Sequence, residues 1–180
     1  MLSVLSLSSN ALIGSIPTEL VLLTELSVLN LSNNYLSGTV PTELGLLSEL
    51  LELALEYNTL AGGTIPTEVG LLTKLFRLDV PHNVLSGPIP SEIGLLQALS
   101  SVRINDNALS GAVPTEMGLL TTISVFGNNH GRMLLYNNGL SGTIPPSLCR
   151  SNGAKPGIDC GEIVCTCCRD GPTTTACISA

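Results

Sequence analysis

Short stretches of the chain alternate apolar and polar residues with a period of two. Leu5-Ser6-Leu7, Leu29-Asn30-Leu31 and Leu78-Asp79-Val80 are examples. That period predicts short strands with one buried face. Three residues after the second apolar position stands an asparagine, placed to satisfy backbone groups at a turn, and successive asparagines can form a ladder. Ser-Gly then allows a tight bend. Ile-Pro ends regular pairing, because proline has no N–H to donate. Pro-Thr-Glu-Leu predicts a helical turn, with its glutamate near the N-terminus where the backbone dipole favours negative charge.

This unit recurs. The marker asparagines are Asn10, Asn34, Asn58, Asn83, Asn107 and Asn138, spaced by 24, 24, 25, 24 and 31 residues. Leu36-Ser37-Gly38-Thr39-Val40-Pro41-Thr42-Glu43-Leu44-Gly45 returns as Leu85-Ser86-Gly87-Pro88-Ile89-Pro90-Ser91-Glu92-Ile93-Gly94. One unit cannot bury its leucines alone, so the units must stack.

The pattern Leu-x-x-Leu-x-Leu-x-x-Asn-x-Leu-Ser-Gly-x-Ile-Pro-x-Glu-Leu-Gly resembles the plant-type leucine-rich repeat of receptor-kinase ectodomains and polygalacturonase inhibitors. The uniform Pro-Thr-Glu-Leu-Gly-Leu-Leu wording and the cysteine-rich tail are also similar to secreted leucine-rich-repeat proteins of algae such as diatoms. The resemblance covers residues 2–148. It implies an α/β solenoid, a right-handed superhelix with a parallel sheet on its concave face. It implies six coils that bind a protein, peptide or glycan, with no catalysis and no cofactor. Residues 1–148 are expected to form the coils, without an N-terminal cap, and residues 149–180 a C-terminal cap. Met1 opens no signal peptide, since Leu2, Leu5 and Leu7 already belong to the repeat, so a leader is missing or the chain is a fragment of a larger receptor-like or secreted protein.

Composition narrows the classes. The net charge is −7, from 7 basic and 14 acidic residues. Nucleic acid and anionic membrane surfaces both need a basic footprint, so neither is an expected partner. No apolar run approaches the ~20 residues of a spanning helix, so membrane insertion is not expected either. All six cysteines, Cys149, Cys160, Cys165, Cys167, Cys168 and Cys177, fall in the last 32 residues. An even number crowded at one end reads as a disulfide-stapled cap in an oxidising, extracellular or cell-surface setting, with the connectivity open. Ile158-Asp159-Cys160 reads as a seventh, terminal strand. Zinc is the alternative, but Cys-x-Cys-Cys does not match the usual Cys-x2-Cys pairs.

Candidate binding positions flank the strand leucines. Coils one and two offer mainly Ser, Asn and Val there. Coils three to six offer Glu52, Glu56, Tyr57, Arg77, Asp79, His82, Arg103, Arg132 and Tyr136. Tyr and Arg are enriched at the energetic centres of interfaces, so this patch is the expected ligand site. His82 and Asp106 share a column on neighbouring coils and read as a surface ion pair, without a nucleophile or metal partner that would make a catalytic dyad. Asn30-Leu31-Ser32 is an N-glycosylation sequon on the concave side.

Two departures from the repeat stand out. Gly62-Gly63 adds one residue to coil three. Seven more lie between Ile123 and Met133, around Phe126 and His130, where a loop would border the patch. On the convex side, Thr18, Thr42, Thr67, Ser91 and Thr115 form a hydroxyl ladder beside Glu19, Glu43, Glu68, Glu92 and Glu116. Such ladders support the alternative of a structural or surface-associated solenoid, bound to cell wall or ice. A glutamate beside every hydroxyl disfavours a flat ice-like surface.

Overall fold

The computed structural model describes residues 2–123 and 133–145, with the backbone of 163–164. Six short strands, one per coil, form a single parallel sheet. They are Val4–Ser6, Val28–Asn30, Glu52–Ala54, Arg77–Asp79, Ser101–Arg103 and Met133–Leu134, in that spatial order. The register is set by the repeat, with Leu5, Leu29, Leu53, Leu78, Val102 and Met133 in one row. From Leu29 on, each member of that row is at most 3% exposed, as befits the face that stacks into the core. The other strand face is the concave one of the family.

The Pro-Thr-Glu-Leu phrases form 3-10 turns, Thr18–Leu22, Thr42–Leu46, Thr67–Leu71, Ser91–Leu95 and Thr115–Leu119. Each follows a proline, in extended conformation in the first four, and carries an acidic residue in its first turn. Gly45, Gly70 and Gly94 lie inside these turns because the neighbouring coil presses on them. A Cβ on Gly45 would stand 2.4 Å from the Glu68 carbonyl oxygen, and one on Gly94 2.5 Å from that of Glu116.

The expected bend is present at Gly38 and Gly62, and in the other coils the same segment is strand. Ile13–Ser15 pairs with Tyr35–Ser37, and Ser86–Gly87, Ala108–Ala112, Gly139–Thr143 and Ile163–Val164 form a second ladder. The isolated bridge between Ala61 and Val84 continues this row across the middle coils. The glycine keeps a positive φ, +74° both at Gly38, just after its strand, and at Gly87, within one. Stacking of identical coils therefore creates backbone pairing where a single unit would only turn.

The asparagine ladder is built from side chain to backbone. Asn58 donates from Nδ2 to the carbonyls of Leu31 and Leu55 at 3.0 Å and of Glu56 at 3.4 Å. Its Oδ1 accepts the N–H of Leu36 at 3.0 Å. Asn34, Asn83, Asn107 and Asn138 repeat the arrangement. Buried polar groups of this kind must be paired, and here one side chain closes the turn of two coils.

Candidate functional site

The residue before each ladder asparagine has a left-handed backbone: Ser9, Asn33, Tyr57, His82, Asp106 and Asn137, with φ between 52° and 57°. Asn and Asp adopt this conformation readily, whereas a bulky residue such as tyrosine is strained there. Tyr57 is nonetheless in place, 52% exposed, and its ring stacks on that of His82 with centroids 4.2 Å apart and planes 14° from parallel. His82 Nε2 lies 3.5 Å from Asp106 Oδ2, the contact expected from their shared column and an ion pair only when the imidazole is protonated. Asp106 also accepts hydrogen bonds from the side-chain amides of Asn105 and Asn137.

A second carboxylate organises the strands. Asp79 Oδ2 accepts from Arg77 Nε at 2.7 Å and from Arg103 Nη1 at 3.2 Å. Arg77 Nη1 also reaches Glu52 at 4.0 Å. The Asp79 side chain is 0% exposed. Guanidiniums from its own strand and the next cover this expected ligand residue, so it holds the two arginines. Glu56 is half-buried. Removal from water raises its carboxyl above the ordinary value, as does the charge of Asp79, against a backbone hydrogen bond and the charges of Arg77 and Arg103.

The structure thus brings Glu52, Arg77, Asp79 and Arg103 into one network, and Tyr57, His82 and Asp106 into another beside it. Tyr136 is half-buried on coil six, and its carbonyl accepts the N–H of Asp106. Arg132 and the six cysteines, with Phe126, His130 and the expected strand at Ile158, lie outside the described residues. Asn30 ends the second strand, and its Oδ1 accepts both the N–H and the hydroxyl of Ser32. Asn105 and Asn137 were not singled out from the sequence. The signal for Asn105 was its column, which it shares with Glu56.

The other ladder is different in kind. Thr42, Thr67, Ser91 and Thr115 each donate their hydroxyl to the carboxylate of the next residue at 3.2–3.3 Å. An open groove of about 520 Å³ runs along coils one to three, lined by Thr39, Thr42, Glu43, Thr64, Thr67 and Glu68 among others. Among the described residues, no group of three His, Cys, Asp or Glu side chains is placed to hold a metal ion. No helix among them is long and apolar enough to cross a membrane.

The Leucine Rich Repeat family model matches residues 1–23, 25–47 and 119–151. A chain of the BIR3–SERK2 complex from Arabidopsis thaliana is 36% identical, with a TM-score of 0.64 over 76% of this chain and 68% of that one. The chain belongs to the leucine-rich repeat family. The plant peptide hormone receptor RGFR1, solved in complex with RGF2, is similar to 87% of this leucine-rich repeat chain at 34% identity and a TM-score of 0.77. A plant ice-binding protein is 28% identical with a TM-score of 0.73, over 89% of this chain and 49% of its own. The chain spans only 24% of the RGFR1 chain. No curated protein matches it.

Proposed function

We propose that this leucine-rich repeat chain is a non-enzymatic extracellular recognition module that binds a protein, peptide or glycan on its concave face, within a receptor-like or secreted protein. One observation carries the reading. Coil three holds an exposed tyrosine in a left-handed backbone, where asparagine or aspartate would sit without strain, and stacks it on His82. Strain kept at an exposed aromatic is not explained by core packing, and it gathers at sites of function. The similarity to RGFR1, a peptide hormone receptor, supports the same reading. Glu52, Glu56, Tyr57, Arg77, His82, Arg103, Arg132 and Tyr136 are the proposed contacts, with Asp79 as their support. The six cysteines of residues 149–180 are proposed to pair as a cap, so a thiol count on unreduced protein should find none free.

The second reading, a surface-associated solenoid acting through its convex ladders, draws support from the similarity to the ice-binding protein. The hydroxyl-to-carboxylate bonds count against it, because they commit four of the five ladder hydroxyls to charged neighbours.

The two are separated by screening displayed random peptides and a glycan array. The intact chain is compared with a Tyr57→Ala, Arg103→Ala, Tyr136→Ala variant and with a Glu43→Gln, Glu68→Gln variant. Retention should vanish in the first variant and persist in the second. The opposite result moves the site to the convex side.

A further inference from the structure

We infer that the concave face of coils three to five is a subsite for a cationic side chain, an arginine or lysine, of a peptide or protein ligand. The inference rests on the concave-face reading above and adds the chemistry of what binds there.

Its starting point is an imbalance of donors and acceptors. Among the described residues, four buried side-chain polar atoms have no hydrogen-bond partner: Glu56 Oε2, Asp79 Oδ1, Asn105 Oδ1 and Arg103 Nε. All four lie on three adjacent strands and their continuations. Three of the four are acceptors. Asp79 is 0% exposed and Asn105 only 3%. Buried acceptors of this kind carry the full cost of their lost hydration until a donor arrives.

The register explains how they converge. Ala54, Asp79 and Arg103 are paired across their strands. Two residues further on, Glu56, Pro81 and Asn105 form the next row, and the N–H of Tyr57 bonding the Pro81 carbonyl keeps that row in step. Adjacent strands stand ~4.8 Å apart, so Glu56 and Asn105 are separated by roughly 10 Å. Pro81, itself buried, stands between them in the row. Glu56 and Asn105 carry the acceptors on the two sides, while Asp79, covered by Arg77 and Arg103, lies one row behind and holds those arginines. The next row is the exposed Tyr57–His82 stack, an aromatic surface of the kind that attracts cations.

Charge agrees with geometry. On the described part of this face, Glu52, Glu56, Asp79 and Asp106 outnumber Arg77 and Arg103, and the whole chain carries −7. Both arginines are already engaged by Asp79. A ligand carboxylate would have to compete with that carboxylate, whereas a guanidinium brings five donors in a plane to acceptors that have none. The raised carboxyl of Glu56 fits the same picture, since a cation beside it would restore its charge.

The test uses the random peptides retained by the intact 180-residue chain. Their sequences are read, and the tightest are remade with arginine replaced by citrulline, a neutral isostere. Enrichment of arginine or lysine is expected. Loss of the positive charge, or Glu56→Gln in the protein, should each weaken binding by about tenfold or more. The two losses should not add, because they remove one interaction. Glu43→Gln on the convex side should leave affinity unchanged. Glu56 is half-exposed, so the glutamine variant should fold, and its circular dichroism must match the parent. Peptides that need Tyr57 and Arg103 yet are neutral or acidic, or that ignore Glu56→Gln, overturn this inference and leave the concave face standing. If no peptide is retained, or if all bind the Tyr57→Ala, Arg103→Ala, Tyr136→Ala variant equally well, the concave reading fails for peptides and the subsite fails with it.

Discussion

The rings of Tyr57 and His82 lie 4.2 Å apart and nearly parallel, on residues that both have left-handed backbones, φ 54° and 53°. The equivalent residues of coils two and six are Asn33 and Asn137, with almost the same φ. The backbone conformation therefore belongs to the repeat, and the aromatic pair is what coils three and four place upon it. Stacking and strain oppose each other here, each worth about 1 kcal/mol.

It follows that Tyr57→Asn should leave stability within about 1 kcal/mol of the parent, since relief of strain offsets the lost stack. Chemical denaturation measures this. A loss above about 2 kcal/mol would show that the stack holds the fold together and would remove the argument for function built on it.

Glu56 predicts a pH dependence. Burial raises its folded-state carboxyl above the ordinary 4.5. The folded chain then holds a proton that the unfolded chain has released, so this group's contribution is fully present below pH 4.5 and is lost as pH rises through the folded value. Glu56→Gln should flatten that part of the stability profile and should stabilise the protein at pH 7 relative to the parent. Denaturation midpoints from pH 4 to pH 8 on both proteins test it; an unchanged slope would mean that Glu56 is not desolvated.

The glycines of the convex turns give a prediction of stacking. A methyl group at Gly70 would lie 2.7 Å from Glu92 Cβ and 2.8 Å from its carbonyl oxygen. The backbone cannot swing aside as a side chain could. Gly70→Ala should therefore cost about 1–3 kcal/mol through overpacking, although alanine is the better helix former. Thermal unfolding decides the sign.

Asn58→Ala would leave the Leu36 N–H and the carbonyls of Leu31, Leu55 and Glu56 without this partner in a buried turn. The expected loss is about 3 kcal/mol. Asn58→Asp should not rescue it, because a carboxylate supplies no donors. Amide exchange should accelerate first at Leu36, in the preceding coil.

Much of this was legible in the sequence. The period of two located the strands, and the recurring asparagine located the turn closures, because both follow from local chemistry repeated in every coil. The second ladder, through Tyr35–Ser37 and Ala108–Ala112, was not legible. Ser-Gly followed by Ile-Pro carries no alternation, and the pairing exists only because neighbouring coils stand in register. Asp79 shows another limit. Its column fixed the face it occupies, but its burial depends on Arg77 and Arg103 folding across it, and no one-dimensional spacing shows that. The left-handed column had a signal, since Asn33, Asp106 and Asn137 are residue types that accept that conformation.

The asparagine ladder gives the array a direction. Asn58 serves Leu31 and Leu36, both in the coil before its own, and Asn83 serves Leu55 and Leu60 in the same sense. A coil's turn thus draws on its own asparagine and on that of its successor, and not on that of its predecessor. The two ends of the solenoid are chemically unlike. Cutting the chain after a coil strips the last turn of an asparagine that completes it, whereas cutting before a coil leaves that coil's own turn closed and takes from its asparagine one acceptor and one donor. Order should therefore decay from the C-terminal side of any cut, and a shortened array should fray from that end whichever coils it keeps.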